Sequence, residues 1–189
     1  MAVLVMFALL SMPFMAYLSS SSFIYVEQFG LTAQQYSYFF AANASASVAG
    51  PILYMRLKNF LPNLRLLQLC YFFALASGIL VLTVANSAAI IFLVSFLPFT
   101  IVGAVARPFA MQILLTEAET NVGTASSMIN FVPTLFGSLG MMLGTLPREN
   151  FIGGLGTIIT VATAFSIALW ILICVGKFGR ARQKSGDVT

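Results

Sequence analysis

The sequence predicts an all-α membrane protein of six transmembrane helices, built as two inverted three-helix repeats with both termini cytoplasmic. Three observations carry this expectation. The 189 residues are 60% hydrophobic and only 7% charged, with a mean hydropathy of +0.98, whereas a soluble domain carries about 25% charged residues. So little charge cannot cover a water-facing surface. Apolar runs long enough to cross a bilayer recur six times. The cations gather at the ends of those runs, nearly all on one side.

The composition also excludes chemistry. The net charge of +4 reflects topology-setting cations and is no nucleic-acid signal. With no histidine, the chain has no base for serine–histidine catalysis, and Glu27, Glu117, Glu119, Glu149 and Asp187 are its whole carboxylate inventory. No set of three or four ligands for zinc can be assembled, and no Gly-x-x-x-x-Gly-Lys phosphate loop occurs. Cys70 and Cys174 lie inside apolar runs and read as small buried hydrophobes. An enzyme is not expected, and neither is a metal or a cofactor.

The first span covers residues 2–26. It lacks the basic start of a signal peptide and runs past a normal apolar core. A span beginning at residue 2, without a cytoplasmic anchor, raises the expectation of a preceding segment. Pro13 interrupts it, and Tyr17, Ser19 to Ser22 and Tyr25 make its second half polar. Proline frees a carbonyl that serine can satisfy, so the serines either bond their own helix or line a cavity. A short external loop leads to the second span, residues 35–55. It opens with Tyr36 and Tyr38, which suit an interface, and continues through Asn43 and closely spaced Ala and Ser residues that permit tight helix approach.

Residues 56–65, Arg56-Leu57-Lys58-Asn59-Phe60-Leu61-Pro62-Asn63-Leu64-Arg65, read as a cytoplasmic loop. Arg56, Lys58 and Arg65 in it set the topology. The third span, residues 66–85, is apolar all round, as expected of a lipid-facing helix. The fourth, residues 88–116, contains Pro98 and Arg107-Pro108. Arg107 is either an interfacial arginine paired with Glu117 or Glu119, or a gate or latch. The fifth, residues 121–146, carries Asn130, Pro133 and Gly140-x-x-x-Gly144, a close-packing spacing. The sixth covers residues 151–176. Residues 1–176 form the membrane domain, and residues 177–189, with Lys177, Arg180, Arg182 and Lys184, a basic cytoplasmic tail. Arg148 alone among the loop and tail cations falls outside.

The two halves of the chain share a plan. Spans one and four are long and proline-broken, spans two and five are rich in small residues and asparagine, and spans three and six are plainer. Inverted three-helix repeats with polar groups on the first two helices of each repeat are a plan of secondary transporters. On that plan Tyr17, Ser20, Tyr25, Asn43 and Asn130 are the candidate cavity-lining groups, because aromatic and hydroxyl groups suit stacking and adaptable hydrogen bonding.

Ser22-Phe23-Ile24-Tyr25 followed by Phe29-Gly30-Leu31, the run Tyr38-Phe39-Phe40-Ala41-Ala42-Asn43, the loop from Gly50 to Arg65, and Val122-Gly123-Thr124-Ala125-Ser126-Ser127 carry a resemblance. On these stretches the chain resembles the C-terminal half of a major facilitator superfamily transporter, and most of all the bicyclomycin/chloramphenicol-resistance drug–proton antiporters. The resemblance implies a bacterial inner-membrane protein that exports small amphipathic drugs in exchange for protons. It also implies a partner, the N-terminal six-helix half, where the proton-coupling carboxylate is expected; no carboxylate falls in the middle of a span here. Two alternatives stand beside it. One is a self-contained small transporter that pairs with a second copy of itself; the other is a non-transporting membrane subunit for assembly or regulation.

Overall fold

The computed structural model describes residues 2–60, 62–117, 122–147 and 150–186. Six α-helices and no strand occur among the described residues. Helix α1 is Ala2–Ser22, continued by a π-helical segment, Phe23–Gln28. Helices α2 (Ala33–Phe60) and α3 (Asn63–Thr83) follow, then a 3-10 turn at Ala85–Ser87. Helices α4 (Ala89–Glu117), α5 (Val122–Gly144) and α6 (Phe151–Gly186) complete the chain.

Two boundaries and one span differ from the sequence expectation. The basic stretch is not a ten-residue loop: α2 runs through Phe60 and α3 starts at Asn63. Arg56 and Lys58 therefore sit on the last turns of α2, and Arg65 on the first turn of α3. Pro62, extended at ψ 148°, makes the break, since it has no N–H to continue a helix. Helix α6 does not stop at residue 176 but continues to Gly186, which takes in most of the expected tail. Third, five helices are long and apolar enough to cross a membrane, and α2 is not among them. Its 28 residues are ample in length, but Gln34, Gln35, Ser37, Asn43, Ser45 and Ser47 dilute its apolar character.

Local chemistry explains the remaining breaks. Gly30 takes φ +67° after the π-helical segment, and the Leu31 N–H reaches back to the Tyr25 carbonyl, as in a glycine-capped helix end. Thr32 and Gln35 then cap α2 reciprocally: the Gln35 N–H donates to Thr32 Oγ1 at 3.3 Å and the Thr32 N–H to Gln35 Oε1 at 3.0 Å. Asn150 caps α6 by accepting the Gly153 N–H at 2.9 Å.

Helix α1 packs against α5 and α6, α4 against α2 and α3, α3 against α6, and α1 meets α4 at the centre. Ser11 faces Pro133 and Ser19 faces Met141, so α1 and α5 run parallel. Asn43 faces Thr100 and Tyr54 faces Gln112, so α2 and α4 also run parallel. Helix α6 is antiparallel to α3, with Gly78 against Thr160 and Leu82 against Gly156. The core holds Met6, Tyr17, Ile24, Tyr25, Phe92, Phe96 and Phe99. Among the five apolar helices α1 is the most buried and α5 the least. At one end of the bundle the Gln28 amide donates to Asn86 Oδ1 at 3.3 Å and Asn150 Oδ1 at 3.2 Å, tying three connections together.

Candidate functional site

The most concentrated group of polar and aromatic side chains lies where the upper part of α1 meets α2 and α4. Tyr17 is fully buried and stacks on Phe96, with ring centroids 4.2 Å apart. Tyr25, also fully buried, stacks on Phe39 at 5.1 Å and meets Phe92 edge-on at 5.4 Å. The π-helical segment brings Tyr25 here: its wider turns lower the rotation per residue and swing Tyr25 toward the face Tyr17 occupies. Tyr36 closes the group, its hydroxyl 2.9 Å from Ser21 Oγ and its ring 5.8 Å from Tyr25.

The structure separates the sequence candidates into three environments. Tyr17 and Tyr25 share the aromatic cluster. Ser20 faces away from it: its hydroxyl donates to the Ala16 carbonyl at 2.8 Å, on the side toward Gly144, Phe151 and Leu155. Asn43 is buried between α2 and α4, where Thr100 Oγ1 donates to its Oδ1 at 2.7 Å. Asn130 lies on an exposed stripe of α5 with Ser127, Thr134 and Ser138, and its amide returns to the Ser126 carbonyl at 2.9 Å. Arg107 is exposed on α4. One turn away, a Cβ built on Gly103 would meet nothing within 4 Å, so this part of α4 borders open space. The side chains of Glu117 and Glu119, its proposed ion-pair partners, lie outside the described residues, as do those of Cys174, Arg148 and the tail cations. Cys70 is buried.

Three partners were not evident in the sequence. Thr100 satisfies Asn43; Gln112 accepts from Tyr54, so that with Gly50 against Ala104 the α2–α4 seam is fastened along its length. Tyr71 lies 2.9 Å from the Ser166 hydroxyl. A buried hydroxyl or amide demands a partner, but the sequence does not say on which helix that partner sits.

The buried Tyr17 and Tyr25 hydroxyls interact with each other, and neither makes a well-formed hydrogen bond among the described residues. Burying an unpaired hydroxyl costs about 1–3 kcal/mol. Changing Tyr17 and Tyr25 together to Phe keeps the ring stacks and strands neither hydroxyl, so the melting temperature in detergent is expected to hold or to rise, by the equivalent of about 1 kcal/mol. A clear fall instead would mean that a hydroxyl is bonded in the membrane, and Tyr17 or Tyr25 would return as a contact residue.

Comparison of the chain with family models, with curated proteins and with solved structures found no match.

Proposed function

We propose that this chain is a six-helix half of a secondary transporter of the major facilitator type, forming one wall of the substrate cavity of a drug/proton antiporter. The observation that carries the reading is an internal repeat of contacts. Ser166 of α6 donates to the Met6 carbonyl of α1 at 2.8 Å, and Ser77 of α3 donates to the Ser95 carbonyl of α4 at 2.6 Å. The separation from Ser77 to Ser166 equals that from Met6 to Ser95. The same separation relates Met15 to Ala104, which receive Gly137 of α5 and Gly50 of α2 respectively. Gly50 and Gly137 are as far apart in sequence as Asn43 and Asn130. While the Asn43–Thr100 bond has no counterpart at Asn130, exchanging α1–α3 with α4–α6 maps the two serine–carbonyl contacts and the two glycine contacts onto one another, with α1 and α4 pointing in opposite directions. That is the pattern inverted repeats produce.

On this reading the six helices all span, α2 included, with both termini cytoplasmic in a bacterial inner membrane. Helix α2 crosses because its polar and small face (Ser37, Ala41, Ser45, Ala49) is covered by a partner rather than by lipid; these residues are exposed here. Asn130 and Arg107 are the candidates open to a substrate or a partner half, while Tyr17, Ser20, Tyr25 and Asn43 brace the wall from behind. The partner is a complementary N-terminal half. A second copy of the chain is the alternative that the same uncovered face favours.

The topology is testable in intact cells. In a chain with Cys70 and Cys174 changed to Ala, single cysteines at Gln34, Lys58 and Asn86 are probed with a membrane-impermeant maleimide. The expected result is labelling of Gln34→Cys and Asn86→Cys from outside, and of Lys58→Cys only after permeabilisation. Labelling of Gln34→Cys and Lys58→Cys from the same side would remove α2 from the spans and with it the inverted repeat.

A further inference from the structure

The α2–α3 hairpin carries three cations with no carboxylate beside them among the described side chains. Arg56, Lys58 and Arg65 are exposed. The one carboxylate whose side chain is described, Glu27, ends the π-helical segment, at the far end of the bundle with Gln28, Asn86 and Asn150. Between the cations, Phe60 is 85% exposed, the most exposed of the large apolar side chains. An apolar ring held out beside three cations suits the boundary between head groups and hydrocarbon better than water.

From Arg65 an open strip runs along the outer face of α3, formed by Arg65, Gln68, Leu69 and Phe72. Their spacing is that of one helix face. The strip is polar at its head and apolar beyond, and the apolar part continues through the exposed Ile79. From Leu69 to Ile79 the helix rises about 15 Å, one leaflet's share of a hydrocarbon core about 30 Å thick. The dimensions are those of a single acyl chain hanging from a head group.

We propose that the hairpin and this face of α3 bind an anionic phospholipid, its phosphate held by Arg65 and Gln68 with Arg56 and Lys58 adding positive charge from the end of α2, its acyl chain lying along Leu69 and Phe72. The guanidinium fork matches two phosphate oxygens, and Gln68 adds a neutral donor. The net positive charge of the hairpin favours an anionic over a zwitterionic head group. A free phosphate would use the polar head of the strip and leave its apolar part idle. The site requires α3 to lie in a bilayer and is independent of the transport reading.

The test is native mass spectrometry and thermal unfolding of the purified chain with phosphatidylglycerol, phosphatidylcholine or millimolar inorganic phosphate. Each cation near a membrane surface contributes about 1 kcal/mol toward an anionic lipid, so Arg65→Gln is expected to weaken phosphatidylglycerol about fivefold and leave phosphatidylcholine unchanged. Phe72→Ala is expected to weaken both lipids, and phosphate alone to give no thermal shift. Both substituted side chains are exposed, and Lys58→Gln provides a second charge variant. An unaltered preference for phosphatidylglycerol in Arg65→Gln and Lys58→Gln would overturn the proposal. So would a phosphate shift as large as the lipid's, which would mark a free-anion site.

Discussion

Gly140→Leu is expected to abolish accumulation of folded protein, while Gly103→Ala leaves it unchanged or slightly improves it. A Cβ at position 140 would collide with the carbonyl oxygen of Met12 and lie 2.8 and 2.9 Å from the Met12 carbonyl carbon and Cα. These are backbone atoms and cannot rotate aside as a flexible side chain could. Relief requires α1 and α5 to move apart across a seam that also holds Gly144 against the Ala16 carbonyl, 2.7 Å from a Cβ there, and Ser11 bonded to the Pro133 carbonyl at 2.7 Å. In lipid, helix association draws on close packing and interhelical hydrogen bonds, without the drive to escape water. Separating this seam therefore removes much of what holds α1 in place. Overpacking by a methylene or two costs about 1–3 kcal/mol where the surroundings can yield; a whole leucine against backbone exceeds that. The control at Gly103 has open space around the new methyl and gains about 0.5–1 kcal/mol of helix preference. Fluorescence-detected size exclusion and melting in detergent read both variants. A Gly140→Leu protein that melts like the parent would mean that α1 and α5 do not pack as described.

That seam was legible in the sequence, because Gly140-x-x-x-Gly144 announces a close approach whatever the partner is. The apolar runs were legible for a similar reason: bilayer thickness imposes a length that composition alone reveals. Rotation about each helix axis was not. The polar residues at the end of α1 run consecutively from Ser19 to Ser22 and mark no single face, so its sequence does not say which side Tyr17 or Ser20 takes; α4 on one side and α5 and α6 on the other decide it. Asn43 and Asn130 look alike in sequence, yet one is buried against Thr100 and the other lies on an exposed stripe. The π-helical segment left no sequence signal of its own, and it is what turns Tyr25 into the aromatic cluster. The basic stretch was read correctly as a chain reversal but too generously as a loop, since amphipathic stems let Arg56, Lys58 and Arg65 remain on helices while their charges reach water.

Proton-driven drug efflux is expected to be absent when this chain is reconstituted alone. Antiport needs a titratable group that alternates between the two sides, and a carboxylate within a span is the usual carrier. Among the described side chains Glu27 is the one carboxylate, and it is exposed at the end of the π-helical segment. A wall with α2 and α5 uncovered on one side also encloses nothing. On the half-transporter reading both deficits end together when a complementary half is supplied, so the expected effect is close to all-or-none.

The measurement that bears most directly on the half-transporter reading is therefore drug-induced collapse of a proton gradient in everted membrane vesicles. Vesicles would carry the chain alone, the N-terminal six-helix half of a drug/proton antiporter alone, or both together. The expected result is collapse only with both. Collapse by the isolated chain, persisting in Glu27→Gln, would contradict the reading and leave a self-sufficient transporter in its place.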